Sequence, residues 1–509
     1  MDAPYDYGRI TGRARLIGGL SLAGANLMVV LDMTIANVSI PHISGNLGIS
    51  PSQGTWVITS YAVAEAICVP LTGWLAQRFG AVRCFILGAL GFGLFSILCG
   101  MSVTLGMLVA CRIGQGLCGG PLMPLTQTLL MRIYPPDQRA KALGMWAITS
   151  LSGPALGPQL GGFISDNMSW HWIFFINVPI VAFCAITAYR LLRPAETPTA
   201  RVPIDVVGLG LLILAVSSLQ IMLDIGPEHD WFADAEVVTL ALVALVGLIV
   251  FVIWELTEEH PIVDVRIFRN RGFSVGVTTL ALGFGTYFSG IVVIPQWMQL
   301  SLGYTATQAG LATALTAVAG LLVGRFPPLL MNRVDPRIVI SISLLWLGGA
   351  TLMRTNWTSS MDFWSLALPQ FVMGFGMPFF FVTVSTISLG ALPPDKVASA
   401  AGLQNFVRTM AIAISTSIVI TFWNNQARVA GSELAGKIQT DATSQALAAS
   451  GFSQDQIRML IAQLVDKEAL TLATDKVFLI TGVLSCAIAA WVWIAPRPKS
   501  YTSPPVDAH

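Results

Sequence analysis

Long apolar stretches separated by short polar segments run through almost the whole chain. A helix that crosses a lipid bilayer needs about 20 mostly apolar residues, and fourteen segments meet or approach that length. We number these predicted spans one to fourteen in chain order. They cover residues 17–38, 54–76, 83–102, 105–131, 140–165, 172–192, 205–225, 236–256, 272–296, 307–331, 337–354, 363–391, 400–423 and 473–495.

Charged residues are scarce and lie mainly between the apolar segments. Of 509 residues, 54% are hydrophobic and 11% are charged, whereas soluble proteins carry about 25% charged residues. Most Lys and Arg of the short loops lie on one side of the predicted bundle, and the other side has only Arg354. Because positively charged loops stay in the cytoplasm, we expect both termini to be cytoplasmic and residues 424–472 to be outside. The net charge of +1 gives no sign of nucleic-acid binding.

An internal repeat divides the chain. The sequence PPDQRAKALG begins at Pro135 and PPDKVASAAG begins at Pro393, an offset of 258 residues that also relates Gly116 to Gly374. Repeated halves with a binding site between them are typical of transporters. The predicted domains are an N-terminal six-helix half at 1–203, an inserted helix pair at 204–271, and a C-terminal six-helix half at 272–509 that includes the outer loop 424–472.

Residues 454–468 of this outer loop place apolar and polar side chains at helical spacing, which predicts an amphipathic helix. Such a helix either lies on the membrane or on the outer face of the protein itself, or docks a partner. Both alternatives remain open at this point.

The charged residues inside predicted spans include Asp32, Glu65, Arg112 and Arg408. Charges inside a membrane are costly and usually functional, and a desolvated carboxyl can bind and release protons near neutral pH. We predict that Asp32, Glu65 and Arg112 couple transport to protons; the alternative is a fixed ion pair that only holds helices together. Asp32 and Arg112 have similar depths in one half, so we expect them to interact, directly or through one group or water. Glu65, for which the sequence offers no cation, is the better candidate for holding a proton.

Four segments carry a resemblance to a known family. Gly73 to Arg83 resembles the signature loop of the major facilitator superfamily, and Arg112 to Gly116 resembles its helix-four motif. Gly153 to Gly162 is similar to the helix-five motif of proton-coupled antiporters. Leu31 to Pro41 is similar to the helix-one motif of the fourteen-span drug:proton antiporters.

Residues 52–60, 172–179 and 219–224 further resemble the inner-membrane subunits of EmrAB-type multidrug efflux pumps, and the resemblance covers nearly the whole chain. It implies an all-α membrane protein with the major facilitator fold: fourteen transmembrane helices, as two six-helix halves plus an inserted pair. It also implies a proton-coupled exporter of hydrophobic or amphipathic drugs in the bacterial inner membrane. Its partners would be a periplasmic membrane-fusion adaptor and, through it, an outer-membrane channel.

Two residues depart from the family pattern. Gln77 stands where the signature loop usually has Asp, so the usual contact between an acid and an Arg at the inner gate is absent or replaced. Glu65 stands where a neutral residue is expected, which puts a coupling scheme with one acid in doubt.

Helix and depth select the residues expected to line the cavity, whereas the residues expected to move during transport are Arg408 and members of the signature loop and the helix-five motif. The predicted substrate-binding residues are Trp56, Tyr61, Gln115, Gln127, Tyr287, Gln296, Gln370, Phe371, Asn405 and Phe406. The predicted gating residues are Gly73, Gln77, Arg78, Gly80, Gly153, Pro154, Gly157, Pro158 and Arg408.

Other functions have less support. No phosphate-binding loop of the P-loop type is present, so we expect the proton gradient rather than ATP to drive transport, with no cofactor or metal. The five His residues are scattered and form no metal or nucleophile constellation, which argues against a membrane-embedded enzyme. A scaffold that only binds its adaptor is a second alternative, and a dedicated exporter of a single metabolite or siderophore is a third.

Overall fold

The computed structural model describes residues 10–135, 138–201, 203–227, 229–331, 333–390, 392–393, 396–437 and 453–496, and within these ranges the chain forms helices and no strand. The α-helices are α1 (Gly12–Leu47), α2 (Pro51–Cys68), α3 (Thr72–Phe79), α4 (Ala81–Gly100), α5 (Leu105–Gly119), α6 (Leu122–Ile133), α7 (Arg139–Asn167), α8 (Trp172–Phe175), α9 (Asn177–Thr187), α10 (Val206–Ile225), α11 (Ala235–Thr257), α12 (Arg271–Leu302), α13 (Ala306–Val323), α14 (Phe326–Met331), α15 (Pro336–Leu352), α16 (Phe363–Gly390), α17 (Val397–Lys437) and α18 (Gln454–Trp491).

Each predicted span coincides with one of these helices or with consecutive helices. The second predicted span, for example, is divided into α2 and α3, which meet at a bend of 58°. Pro70 lies at this break, and Pro121 lies at the break between α5 and α6. Because Pro has no N–H to donate to the helix, it ends or bends the hydrogen-bond ladder at these positions.

The helices identify a multi-pass membrane protein. In the described part of the chain, nine helices are long and apolar enough to cross a membrane, and the bent pair α2–α3 makes a tenth. Two further apolar helices, Thr307–Val323 and Pro336–Leu352, are shorter. The number of fourteen spans therefore stays a prediction, although every predicted segment is helical.

One packing arrangement occurs twice, at the two positions related by the sequence repeat. A Cβ atom on Gly116 of α5 would overlap the backbone oxygen of Tyr61 in α2. A Cβ atom on Gly374 of α16 would overlap the backbone oxygen of Thr316 in α13. Both contacts require Gly, since only a residue without a side chain lets two helix backbones approach so closely. The domain boundaries at 203 and 271 stay predictions.

The helices α10 and α11, predicted to be an inserted pair, contact the C-terminal part of the chain. Ser417 Oγ of α17 donates a hydrogen bond to the backbone oxygen of Leu223 at 2.7 Å. Trp231 Nε1, in the loop between α10 and α11, donates to Thr421 Oγ1 at 2.7 Å. The pair is therefore attached to α17 near the predicted outer surface.

The last two helices extend beyond their predicted spans and form what we call the outer hairpin, residues 424–437 and 453–472. The predicted amphipathic helix at 454–468 is the first part of α18 rather than a separate element. It begins directly after Ser453, whose Oγ accepts a hydrogen bond from Gln456 N at 3.3 Å, and this capping box explains where α18 starts. Residues 438–452 of the predicted outer loop lie outside the described residues.

Candidate functional site

A buried ion pair lies between α1 and α5 in the N-terminal part of the molecule. Arg112 Nη1 donates a hydrogen bond to Asp32 Oδ2 at 2.5 Å, and both side chains are almost completely buried. Arg112 Nε donates to the backbone oxygen of Val57 at 3.0 Å, which ties α5 to α2 as well. The prediction that Asp32 and Arg112 interact is confirmed, and the interaction is direct.

Amide and hydroxyl groups surround this ion pair. Gln115 Nε2 donates to Asp32 Oδ1 at 3.0 Å and Asn177 Nδ2 donates to the same oxygen at 2.7 Å. Gln115 Oε1 accepts from Arg112 Nη1 at 2.8 Å, and Ser96 Oγ accepts from Gln115 Nε2 at 2.8 Å. The carboxylate is therefore held by an arginine and two amides, as a buried charge requires, whereas Arg112 Nη2 and Asn177 Oδ1 have no hydrogen-bond partner among the described residues.

Aromatic rings shield the cation of the pair. The guanidinium carbon of Arg112 lies 4.1 Å from the ring centroid of Tyr61 and 5.7 Å from that of Phe174. Such positions allow cation–π attraction, which is stronger in a desolvated site. Tyr61 and Gln115, both predicted to bind substrate, thus belong to the surroundings of the ion pair. The N-terminal cluster is defined here as Asp32, Arg112, Gln115, Asn177, Ser96, Tyr61 and Phe174.

The second carboxyl, Glu65 of α2, is buried and has fewer hydrogen-bond partners than Asp32. Its Oε2 has no hydrogen-bond partner among the described residues. Arg408 of α17 lies within electrostatic range of Glu65, without an ion-pair contact. Two cations that the sequence did not assign to Glu65 therefore act on it, Arg408 from the C-terminal part of the chain and Arg112 from the N-terminal cluster.

Arg408 also lies where the N-terminal and C-terminal parts of the chain meet. Its guanidinium carbon lies 5.2 Å from the ring centroid of Trp146 and 5.5 Å from that of Phe284, and its Nη2 donates to Met123 Sδ at 3.5 Å. Nearby, Asn405 Nδ2 donates to Gln127 Oε1 at 2.9 Å. Gln127 and Asn405, both predicted to bind substrate, contact each other across the interface between α6 and α17.

A second polar cluster lies in the C-terminal part of the molecule, and the sequence did not predict it. Arg354, expected in an outer loop, is 1% exposed, because its side chain lies among neighbouring helices. Arg354 Nη2 donates to Gln370 Oε1 at 3.0 Å. Tyr287 and Gln370, predicted to bind substrate, line a narrow pocket beside the guanidinium.

The remaining predicted substrate-binding residues do not join either cluster. Phe371 packs edge-on against Phe375, with ring centroids 5.0 Å apart. Phe406 packs against the large hydrophobic core, whereas Trp56 and Gln296 are exposed. The ten predicted residues are therefore distributed over several places rather than around one cavity.

The predicted gating segment 73–80 lies where the N-terminal and C-terminal parts of the chain contact each other. A Cβ atom on Gly73 would lie 2.7 Å from the Cα of Ser399 in α17, so the close contact between α3 and α17 requires Gly. Gly80 has a φ of 91°, in a region that favours Gly. Gln77 is exposed at the end of α3 and Arg78 is partly exposed.

Glu196 is the acidic residue beside this segment. Its Oε1 accepts a hydrogen bond from Val82 N at 2.8 Å and its Oε2 accepts from Arg83 N at 3.1 Å. A carboxylate at the first turn of α4 satisfies free N–H groups and interacts favourably with the helix dipole. The sequence analysis missed Glu196, because it lies more than a hundred residues after the loop that it contacts.

The glycines of α7 pack this helix against α1. A Cβ atom on Gly153 would lie 2.5 Å from Val30, and one on Gly157 would overlap Thr34. Thr34 Oγ1 in turn donates to the backbone oxygen of Gly153 at 3.2 Å. Pro158 contacts α13 near Gly310, and the side chain of Pro154 lies outside the described residues. The segment is therefore a close packing face between helices, and its role in gating stays a prediction.

Comparison with known proteins gives a consistent picture. A family model described as Major Facilitator Superfamily matches residues 22–416. The chain is 41% identical over 499 residues to the "Multidrug export protein EmrB" of Escherichia coli (strain K12), covering 96% of this chain and 97% of that protein. It is 40% identical over 502 residues to the "Fatty acid resistance protein FarB" of Neisseria gonorrhoeae, covering 97% and 98%. The solved structure of the human organic anion transporter MFSD10 aligns with a TM-score of 0.57 and 13% identity, covering 93% of this chain and all of that one, which shows a shared fold.

Proposed function

The chain belongs to the Major Facilitator Superfamily and is a membrane transporter, and on this premise we propose that it exports hydrophobic or amphipathic drugs in exchange for protons. The names of relatives with about 40% identity, a multidrug export protein and a fatty acid resistance protein, support export of amphipathic compounds. The proton gradient is the energy source, and no cofactor takes part.

The observation that carries proton coupling is the buried Asp32–Arg112 pair. Both oxygens of the Asp32 carboxylate accept hydrogen bonds, Oδ2 from Arg112 and Oδ1 from Gln115 and Asn177. Asp32 can accept a proton from outside only when this network opens, for example when substrate displaces Arg112. Opening of the network thus links the arrival of a substrate to the protonation of Asp32.

Glu65 is the second proton-carrying candidate. It lies in α2 near Arg408 of α17, whose guanidinium contacts Met123 of α6. We propose that this contact between the N-terminal and C-terminal parts of the chain opens and closes during transport. We propose that Glu65 exchanges its proton at the step in which Arg408 moves relative to it. This places one carboxyl within the N-terminal cluster and one at the interface.

The test is release of protons from purified protein when a drug is added, measured across pH for the parent, Asp32→Asn and Glu65→Gln. At least one substitution should abolish the release while leaving folded protein. Exposed Glu433→Gln is a matched control that should release protons as the parent does. If both buried variants behave like the parent, neither carboxyl carries the proton.

We also propose that the outer hairpin docks a periplasmic membrane-fusion adaptor and, through it, connects to an outer-membrane channel. The hairpin extends well beyond the predicted membrane spans and has a groove between its two helices, lined by residues such as Arg428, Arg458 and Asp466. Shortening the hairpin should abolish drug resistance in cells but leave transport in vesicles intact. Equal loss of both would instead assign the hairpin a role in folding.

The proposed location is the bacterial inner membrane, with both termini in the cytoplasm. A Cys placed at Gly451 should react with an impermeant reagent added to spheroplasts, whereas a Cys placed at Ala200 should react only after the membrane is opened. Labelling of the Ala200 position in intact spheroplasts would reverse the orientation.

A further inference from the structure

Arg354 is a buried cation without an acidic partner. Its Nη2 donates to Gln370 Oε1 at 3.0 Å and to Met373 Sδ at 3.3 Å, both neutral acceptors. Its Nε has no hydrogen-bond partner, and no carboxylate of the described residues lies within ion-pair distance. The guanidinium carbon lies 5.6 Å from the ring centroid of Phe478. The cation is therefore desolvated and only partly satisfied.

The sequence repeat shows what is missing at this position. The offset of 258 residues that relates Gly116 to Gly374 places Gly290 where the N-terminal half has Asp32, and Gln370 where it has Arg112. It also places Arg354 where the N-terminal half has Ser96. A Cβ atom on Gly290 would lie 3.3 Å from Arg354 Nη1. The C-terminal half thus holds a cation directly beside the position from which the acid is absent.

A buried charge that the protein does not pair lowers stability, and a neutral side chain of similar size would avoid this cost. The simplest reason to keep such a residue is a negatively charged ligand that completes the pair. The pocket beside Arg354 has a second free donor, since Gln370 Nε2 has no partner either. Arg354 Nε and Gln370 Nε2 together offer two N–H donors, and a carboxylate has two oxygens to accept them.

We propose that this pocket binds the carboxylate head group of an amphipathic substrate, an inference that rests on the proposed export function and names one substrate class for it. The pocket is formed by α12, α13, α16 and Arg354, and Tyr287 and Thr316 supply further polar groups. Ile291 and Met373 supply apolar contacts for the part of the ligand next to the head group. A cationic head group is excluded by the charge of Arg354.

The pocket is nearly closed in this conformation. Its free volume is about 10 Å³, roughly the space of one water molecule. A carboxylate therefore enters only when α13 and α16 move apart, or when Met373 changes its conformation. Because a ligand shifts the equilibrium toward the conformation that it binds better, occupation of the Arg354 pocket would favour a more open C-terminal half.

The test compares three ligands that differ only in the head group: 4-phenylbutyrate, 4-phenylbutanol and 4-phenylbutylamine. Binding to the purified full-length chain is measured by calorimetry in a HEPES buffer that contains neither chloride nor a carboxylate. The parent should bind the carboxylate at least tenfold more tightly than the alcohol. Arg354→Gln should weaken carboxylate binding at least tenfold and leave alcohol binding unchanged. Arg354→Lys should recover part of the lost affinity for the carboxylate. The exposed control Arg271→Gln should bind all three ligands as the parent does.

A second measurement separates a binding role from a structural one. Without ligand, the unfolding temperature of Arg354→Gln should equal or exceed that of the parent, because the substitution removes an unpaired buried charge. A clear decrease would mean that Arg354 stabilises the fold, and would overturn the inference. Equal binding of the carboxylate by the parent and Arg354→Gln would overturn the inference as well. Tight binding of chloride alone that depends on Arg354 would also overturn it, because it would identify a site for inorganic anions.

The outcomes also separate this inference from the proposed function. If a cationic drug releases protons from the protein but 4-phenylbutyrate does not bind, the carboxylate site is wrong and the exporter proposal stands. If 4-phenylbutyrate binds through Arg354 but no drug of any charge releases protons, the site stands and proton-coupled export is wrong.

Discussion

Arg112 and Arg354 are both buried arginines beside aromatic rings, one in each part of the chain that the sequence repeat relates. Arg112 contacts Asp32 and the amide of Gln115, so its charge is neutralised within the protein. Among the described residues, the guanidinium of Arg354 donates hydrogen bonds only to an amide oxygen and a thioether. The comparison shows that one half supplies an acidic partner for its buried arginine, whereas among the described residues the other half supplies none, and this is the place that we propose a ligand fills.

The largest expected effect follows from breaking the N-terminal pair. Arg112→Gln leaves the Asp32 carboxylate buried without its cation, and removal of one partner from a buried ion pair costs about 3–5 kcal/mol. We expect a large decrease in the unfolding temperature of the purified protein. The double variant Asp32→Asn/Arg112→Gln has no buried charge left at this position, so it should recover most of the loss.

A double variant as unstable as the sum of the two single variants would show that Asp32 and Arg112 act independently. Such additivity is usual for distant residues and unusual for residues in contact. It would also remove the basis for contrasting Arg112 with Arg354.

The second prediction converts the C-terminal cluster into a copy of the N-terminal one. Gly290→Asp places a carboxylate beside Arg354 Nη1, at the position that the repeat relates to Asp32. A hydrogen bond to a charged group contributes about 1.5–3 kcal/mol, so the unfolding temperature should rise. The same variant should lose binding of 4-phenylbutyrate, because the new carboxylate occupies the place of the ligand. Gly290→Ala is the matched control. If Gly290→Asp loses stability instead, and Gly290→Ala loses as much, the site has no room for any side chain.

The sequence predicts the helices well because lipid contact requires long apolar segments. It predicts their ends and breaks poorly. Pro70 and Pro121 lie inside apolar segments, so hydropathy alone did not separate α2 from α3 or α5 from α6. The length of α18 was missed because its first part is amphipathic and was assigned to a loop.

The candidate site was predictable only where a charge stands in an apolar segment. Asp32 and Arg112 were found for this reason, and their similar depth predicted the contact. Asn177 and Ser96 were missed because uncharged polar residues are common in the predicted spans. Arg354 was missed because it follows the last apolar residue of its segment, which is typical of a loop residue, and only the fold shows that it points inward.

The third prediction concerns the interface between the repeated parts rather than either cluster. Gly73→Val should keep α3 and α17 apart, since its Cβ would overlap the backbone of Ser399. A tenfold shift in the population of the state in which α3 and α17 are in contact corresponds to about 1.4 kcal/mol. We expect about tenfold faster labelling of a Cys placed at Ser399, measured in membranes. Gly210→Val, at a glycine with open space around it, is the matched control and should leave the labelling rate unchanged.

The last and smallest effect separates the two carboxyls. Asp32 accepts hydrogen bonds from three side chains, whereas Oε2 of Glu65 has no partner among the described residues. Replacement of Glu65 by Gln therefore breaks no hydrogen bond to that oxygen and removes the cost of burying an ionisable group, although it also removes the interaction with Arg408. These contributions oppose each other, so Glu65→Gln should change the free energy of unfolding by less than about 1 kcal/mol. Asp32→Asn should decrease the free energy of unfolding by several times the change that Glu65→Gln causes. Chemical unfolding of both variants in the same detergent measures the difference, and equal destabilisation would mean that Glu65 has a structural partnership as strong as that of Asp32.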